Sequence, residues 1–105
     1  LFPHYSAATY LTVERVVRKI HPRALFTEPF YSCEGFVKGW VLRIEETLKK
    51  EKLSSPLLLF SAHSLPLYLV KRYKDPYPLQ VEESARLIAQ RLNLPYKVSY
   101  QSRVG

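Results

Sequence analysis

One histidine, His63, directly follows an apolar run in the stretch LLLFSAHSLP of residues 57–66. A neutral imidazole can bind a divalent transition metal or accept a proton near neutral pH. Ser61 and Ser64 flank the histidine and could orient its ring by hydrogen bonding, while Pro66 stiffens the exit. From the spacing alone, His63 is a candidate metal ligand or base, and an ordinary loop histidine is the alternative.

The other histidines and the cysteine are weaker candidates for a functional site. His4 follows a predicted strand end and could line the same crevice as His63, or be a partly exposed loop residue. His21, before Pro22, is interpreted as structural, and the single cysteine, Cys33, as a helix-start residue. The sequence contains no glycine-rich phosphate loop, no cysteine pair, no H-E-x-x-H and no G-x-S-x-G.

Hydrophobic spacing predicts helices in alternation with strands. Helices are predicted after a Ser6 cap as far as His21, after a Ser32 cap, and around 81–92; strands are predicted at 24–30, 57–60 and 97–101. The run 57–60 is continuous, as in a strand buried on both faces of a parallel sheet. This rhythm predicts an α/β fold with an open parallel sheet and flanking helices. Ligands of such sheets bind beyond the carboxyl ends of the strands, where the predicted loop 61–65 falls.

Composition restricts the function classes. The 105 residues carry 16 Lys and Arg against 9 Asp and Glu, a formal charge of +7. This charge favours nucleic acid, acidic lipid or a carboxylate-bearing ligand, or it marks a solvated basic surface. No apolar run reaches the length of a membrane span, and one cysteine excludes an internal disulfide framework and fits a reducing compartment. The absence of methionine leads us to expect an internal segment of a longer chain.

Four blocks of sequence then become recognisable together. They are LFPHYSAAT at 1–9, LFSAHSLP at 59–66, DPYP at 75–78 and YQSRVG at 100–105. In order and spacing these blocks resemble the protoporphyrin-type ferrochelatases, and the first is similar to that family's L-[YF]-P-x-[YF]-S segment. The resemblance extends over the whole chain, while the chain corresponds to only part of such an enzyme.

The resemblance implies an enzyme that inserts Fe²⁺ into protoporphyrin IX, or a related porphyrin, to form haem. It implies a chelatase-like fold, half of a two-domain Rossmann-like architecture, with the porphyrin in the cleft between domains. Residues 1–55 would then end the first α/β domain and cross into the second, and 56–105 would form part of the second. No cofactor is expected beyond the substrate Fe²⁺, and any iron–sulfur cluster would lie further along the chain.

By motif position, His63 matches the invariant active-site histidine of that family, as metal ligand or as acceptor of pyrrole protons. The resemblance and the predicted crevice together suggest six substrate contacts: Ser61, Ser64, Ser102, Arg103, His4 and Tyr5. The family's partner carboxylate lies outside these residues, so the segment alone should be inactive. One departure is Lys74, where the family usually has a glycine before D-P-Y-P.

Two alternatives remain open from the sequence. A catalytically inactive porphyrin-binding relative would keep the same motifs. A small basic nucleic-acid-binding module fits the charge, but its basic residues are scattered and no aromatic platform is interleaved with them. The expected location is the cytoplasm of a bacterial-type cell, with attachment to the inner membrane surface left open. The sequence predicts no oligomeric state.

Overall fold

The computed structural model describes residues 4–5, 7–26, 28–65 and 67–101. Its elements in chain order are α1 (Ala7–Ile20), α2 (Glu34–Lys50), β1 (Leu58–His63), α3 (Leu67–Tyr73), α4 (Tyr77–Leu92) and β2 (Tyr96–Gln101). Within the described residues, β1 and β2 form a two-stranded parallel sheet, joined by the crossover through α3 and α4. The predicted α/β class, with an open parallel sheet and flanking helices, is confirmed.

The core lies where α4 packs against α2 and both strands. Among the described residues, its buried apolar side chains are Val37, Val81, Ala85, Ile88 and Ala89. Two of the four that α4 supplies are alanines, whose small side chains let the helix backbone approach the sheet closely. At the rim, the Arg91 guanidinium pairs with the Glu34 carboxylate and so joins the end of α4 to the start of α2.

Three helices are followed, within two residues, by a residue other than glycine in the left-handed backbone region. Lys52, Lys74 and Asn93 have φ of 55°, 48° and 54°. The backbone N–H of the next residue donates to the carbonyl five residues earlier in each case. After α3, the Asp75 N–H donates to the Val70 C=O at 3.0 Å. This Schellman arrangement satisfies carbonyls that the helix end leaves without a partner.

The D-P-Y-P block works as a helix start. The buried carboxylate of Asp75 accepts a hydrogen bond from the Tyr77 backbone N–H at 3.0 Å, and Pro78 occupies the first turn of α4. Proline is tolerated there because the first helical N–H groups have no intrahelical acceptor. The block therefore joins the turn after α3 to α4.

The two faces of the sheet differ. Along β1, Leu58, Phe60 and Ala62 are half-buried, while the residues between them are exposed. Side chains of paired residues in neighbouring parallel strands share a face, so the exposed set forms one surface, which we call the open face: Leu59, Ser61, His63, Lys97, Ser99 and Gln101. The expectation that 57–60 is buried on both faces is wrong for the described structure, because the described helices cover one face only; Leu59 is 66% exposed.

Other local predictions need correction. The run 24–30 is not a strand in its described residues, since Pro29 lacks a backbone donor and Leu25 is 97% exposed. The N-cap of α2 is Cys33 rather than Ser32, as φ of −62° and ψ of 138° place Cys33 in the extended region. The seven-residue α3 was not predicted.

The division into residues 1–55 and 56–105 stays a prediction, although the packing of α2 on α4 crosses that boundary. Among the described residues, no helix has the length and apolar character needed to cross a bilayer.

Candidate active site

His63 is the last residue of β1 and stands on the open face at the carboxyl end of the parallel strands. The sequence placed Ser61–His63 in a loop, and this is wrong: the strand continues through them because they pair with β2. The register sets His63 beside Gln101, the last residue of β2. His63 is exposed, so its imidazole is accessible from outside the sheet.

The two flanking serines have different surroundings. Ser61 is exposed on the same face as His63, two residues earlier, and pairs with Ser99. Ser64 is buried: its backbone N–H donates to the Gln101 C=O at 2.8 Å, and its hydroxyl donates to the Leu65 C=O at 3.3 Å. Ser64 therefore extends the β1–β2 ladder past His63 and holds the histidine's backbone in place, whereas the Ser61 hydroxyl is open to a ligand.

A cleft of about 400 Å³ runs along β1 beside α2 and α4. Its wall is mainly apolar and aromatic, and it is lined by His4, Phe36, Trp40, Leu59, Phe60, Ser61, Ala62, Tyr77, Val81, Ser84, Ala85 and Ile88. The structure thus brings two of the predicted contact residues, His4 and Ser61, to one cleft. His63 and Ser64 lie outside its lining, on the continuation of the same strand.

The segment before α1 is tied to α4. The Tyr5 backbone N–H donates to Oε1 of Gln80 at 2.5 Å, and His4 Nε2 lies 2.9 Å from the Ser84 hydroxyl oxygen. Tyr5 is half-buried and lies outside the lining of the cleft. Burial lowers the pKa of the His4 imidazole, so this histidine is held neutral at pH values where an exposed one begins to titrate.

Tyr77 lines the cleft, and its backbone N–H donates to the Asp75 carboxylate. Burial raises the pKa of its phenol, and the neighbouring Asp75 carboxylate raises it further. The phenol is therefore a neutral group in the wall of the cleft over the physiological pH range.

The remaining predicted contacts, Ser102 and Arg103, lie outside the described residues. Their role stays a prediction. Gln101, which the structure pairs with His63, directly precedes them in the chain.

Several residues that line the cleft were not predicted from the sequence. Phe36 and Trp40 stand four residues apart on α2 and share a side of that helix, a spacing that could have revealed them as neighbours. Ser84 is buried, although it follows two glutamates and resembles part of a polar helix face. The sequence indicated its burial only through its place on α4, three residues after the apolar Val81 and one before Ala85.

Within the described residues, no group of three or more His, Cys, Asp or Glu side chains is placed to hold a metal ion. The accessible imidazole of His63 thus stands at the end of the strand that lines the apolar cleft. A family model described as ferrochelatase matches residues 1–105, the whole chain.

The chain belongs to the ferrochelatase family. A ferrochelatase of Wolbachia pipientis wMel is 34% identical to it over 100% of this chain and 36% of the relative. A ferrochelatase of Thermus thermophilus is 36% identical over 95% of this chain and 34% of the relative. A coproporphyrin III ferrochelatase of Listeria innocua is 34% identical over 97% of this chain and 36% of the relative.

The chain thus spans about a third of the length of these curated relatives. The predicted resemblance to ferrochelatases is confirmed. The roles of individual site residues stay predictions.

Proposed function

We propose that this chain is the part of a ferrochelatase that supplies the active-site histidine, His63, for insertion of Fe²⁺ into a porphyrin. The observation that carries the proposal is the place of His63: an accessible imidazole at the carboxyl end of a parallel strand, in a chain that matches the ferrochelatase family throughout. Strand ends of this kind are where open α/β sheets bind their ligands.

Two roles are open to His63 in this reaction. Iron can enter the macrocycle only after pyrrole N–H protons have left, so a neutral imidazole at its face would act as a base. An imidazole is also a good ligand for Fe²⁺ and would replace part of its water shell. As no three-residue metal cluster exists among the described residues, a ligand role would require further donors from water, the porphyrin or other parts of the polypeptide.

The proposed substrate contacts are Ser61 and His4 in the cleft, Ser64 and Tyr5 beside it, and Ser102 and Arg103 beyond β2. A guanidinium such as Arg103 would suit a porphyrin propionate, with which it can form paired hydrogen bonds. The curated relatives bear both the plain name and the name coproporphyrin III ferrochelatase. We favour a protoporphyrin because of the block YQSRVG.

We further propose a cytoplasmic location, because the reducing compartment suits the exposed free Cys33. The substrate iron is the only metal that the proposal requires, and no nucleic acid partner is expected.

The test is an anaerobic insertion assay on the full-length protein that contains this chain, with Fe²⁺ and protoporphyrin IX. We expect His63→Ala to reduce turnover about 10²- to 10⁴-fold, the typical contribution of a positioned acid–base group. His21→Ala is the matched control: it removes an exposed histidine that lies outside the lining of the cleft, just after α1, and should leave turnover unchanged. Equal turnover in wild type and His63→Ala would refute the catalytic role.

Absorbance titration with the porphyrin distinguishes an active ferrochelatase from a catalytically inactive porphyrin-binding relative. A protein that binds protoporphyrin IX but inserts no iron, with or without His63, would be the inactive relative. Affinity for DNA that falls steeply with added salt would instead indicate a nucleic-acid module.

A further inference from the structure

A short hydrogen-bond chain fixes the protonation pattern of His4. The Ser84 hydroxyl lies 2.5 Å from the backbone carbonyl oxygen of Tyr31, and His4 Nε2 lies 2.9 Å from the same hydroxyl oxygen. A carbonyl oxygen can only accept, so the single Ser84 hydroxyl proton is donated to Tyr31. The Ser84 oxygen must therefore accept at its other contact, and His4 Nε2 must carry a proton.

The surroundings of the ring keep it in place. His4 stacks on Tyr31 with ring centroids 6.2 Å apart and meets Phe36 and Tyr77 edge-on at 6.0 and 6.2 Å. Ser84 is only 5% exposed, so its hydroxyl is largely screened from water that could replace either partner. No carboxylate contributes to the lowered pKa of His4, which results from burial alone.

A neutral imidazole with its proton on Nε2 has a lone pair on Nδ1. His4 lines the cleft, so a ligand that hydrogen bonds to this ring must donate a hydrogen to Nδ1. A porphyrin and its metal carry two kinds of such donor, the pyrrole N–H groups and the water molecules bound to Fe²⁺. Ionised propionates only accept hydrogen bonds and would be rejected by Nδ1.

We propose that Ser84 is a positioning residue, which holds His4 as the Nε2–H tautomer so that Nδ1 accepts a hydrogen bond from a pyrrole N–H or an iron-bound water. The proposal rests on the function proposed above, since it takes the cleft to receive those substrates. Ser84 contacts no substrate itself and acts through His4.

The first measurement is independent of activity. Histidine labelled with ¹⁵N is incorporated into the full-length protein without ligands, and long-range ¹H–¹⁵N spectra identify which ring nitrogen of His4 is protonated near pH 7.5. The His4 signals are assigned by their loss in His4→Gln. We expect the Nε2–H tautomer in wild type and in Ser84→Thr, which keeps the hydroxyl, and a mixture of tautomers in Ser84→Ala.

The second measurement tests how the enzyme binds its substrates. Ser84→Ala should weaken porphyrin affinity, from absorbance titration, or raise KM for Fe²⁺ by about three- to tenfold, the effect of one hydrogen bond, with kcat changed less. Loss of porphyrin affinity assigns the pyrrole N–H as the donor, and a raised KM for Fe²⁺ assigns the bound water. Thr47→Ala is the control, because its hydroxyl donates to a carbonyl within α2, at Arg43, and should change neither.

His4→Gln provides a second variant should Ser84→Ala fold poorly. A glutamine amide can still donate to Ser84, but its remaining acceptor, Oε1, does not occupy the position of Nδ1, so the same loss of affinity or rise in KM is expected with the fold retained.

An Nδ1–H tautomer in wild type would overturn the proposal, as would a Ser84→Ala variant with unchanged tautomer, porphyrin affinity and KM. If the protein inserts no iron but Ser84 still controls the tautomer and porphyrin affinity, the proposed enzymatic function fails while the positioning role stands.

Discussion

Lys74 adopts a backbone conformation that suits glycine better than lysine. With φ of 48°, it follows α3 in the left-handed region, directly before Asp75, whose carboxylate accepts from the first N–H of α4. A residue with a Cβ atom has a cost of roughly 1–2 kcal/mol in this region. Glycine avoids that cost but has about 0.5–1 kcal/mol more backbone entropy to lose on folding. The difference predicts that Lys74→Gly stabilises the fold by about 0.5–1 kcal/mol.

Urea unfolding of the full-length protein measures this gain, and amide hydrogen exchange localises it. The Asp75 N–H donates to the Val70 C=O across the turn, so its exchange should slow in Lys74→Gly. Lys71→Gly is the matched control: the same exposed side chain is removed inside α3, where glycine should destabilise by about 1 kcal/mol. Lys52, at φ of 55°, offers a second left-handed site where glycine should stabilise.

Opposite signs for Lys74→Gly and Lys71→Gly would support the argument from backbone strain. If Lys74→Gly lowers the unfolding midpoint and speeds exchange at Asp75 as Lys71→Gly does, the reasoning is refuted, because the two sites would then respond to loss of the lysine alone.

Two further predictions concern the cleft and the core. Burial holds the pKa of folded His4 below its usual 6.5, so the unfolded chain binds a proton first as the pH falls. The stability that His4 contributes is therefore complete above about pH 6.5 and is lost below it. Thermal unfolding at a series of pH values should show this loss in wild type and a shallower one in His4→Phe; equal slopes would contradict the assignment. Ile88 lies in the core at 2% exposure, so Ile88→Ala should lower the free energy of unfolding in urea by about 2–5 kcal/mol. Leu79 is 74% exposed, so Leu79→Ala should change it by no more than about 0.5 kcal/mol. Similar losses in the two variants would mean that α4 packs through another face.

The sequence predicted the parts of the fold whose information is local. The apolar stripe of α4 and the strand at β2 stand out because their periods differ, and α4 carries the basic Arg91 in its last turn. The run 24–30 shows the limit of this reading, since an apolar stretch becomes a strand only when a neighbour pairs with it. The helix α3 was missed because its seven residues are too few to show a helical period.

The candidate site likewise combines features that the local sequence indicates with features that only tertiary packing sets. Motif spacing was enough to single out His63, but the sheet register that places Gln101 beside it depends on how two distant strands align. The contact between His4 and Ser84, which are 80 residues apart, is likewise a product of tertiary packing. The left-handed Lys74 sits where the sequence already showed a departure from the family's usual glycine.

The alternation of faces along β1 has a consequence for how this region can change in length. One residue inserted between Leu58 and His63, with the pairing upstream kept, would shift the imidazole from the open face to the face packed beneath α4. It would also turn the histidine's backbone towards β2, because the N–H groups of Leu58 and Ser64, an even number of residues apart, donate to the Pro95 and Gln101 carbonyls along that side. Only changes by an even number of residues, or a compensating bulge, would keep the imidazole accessible. Length variation should therefore collect in the turns around β1 and not within it.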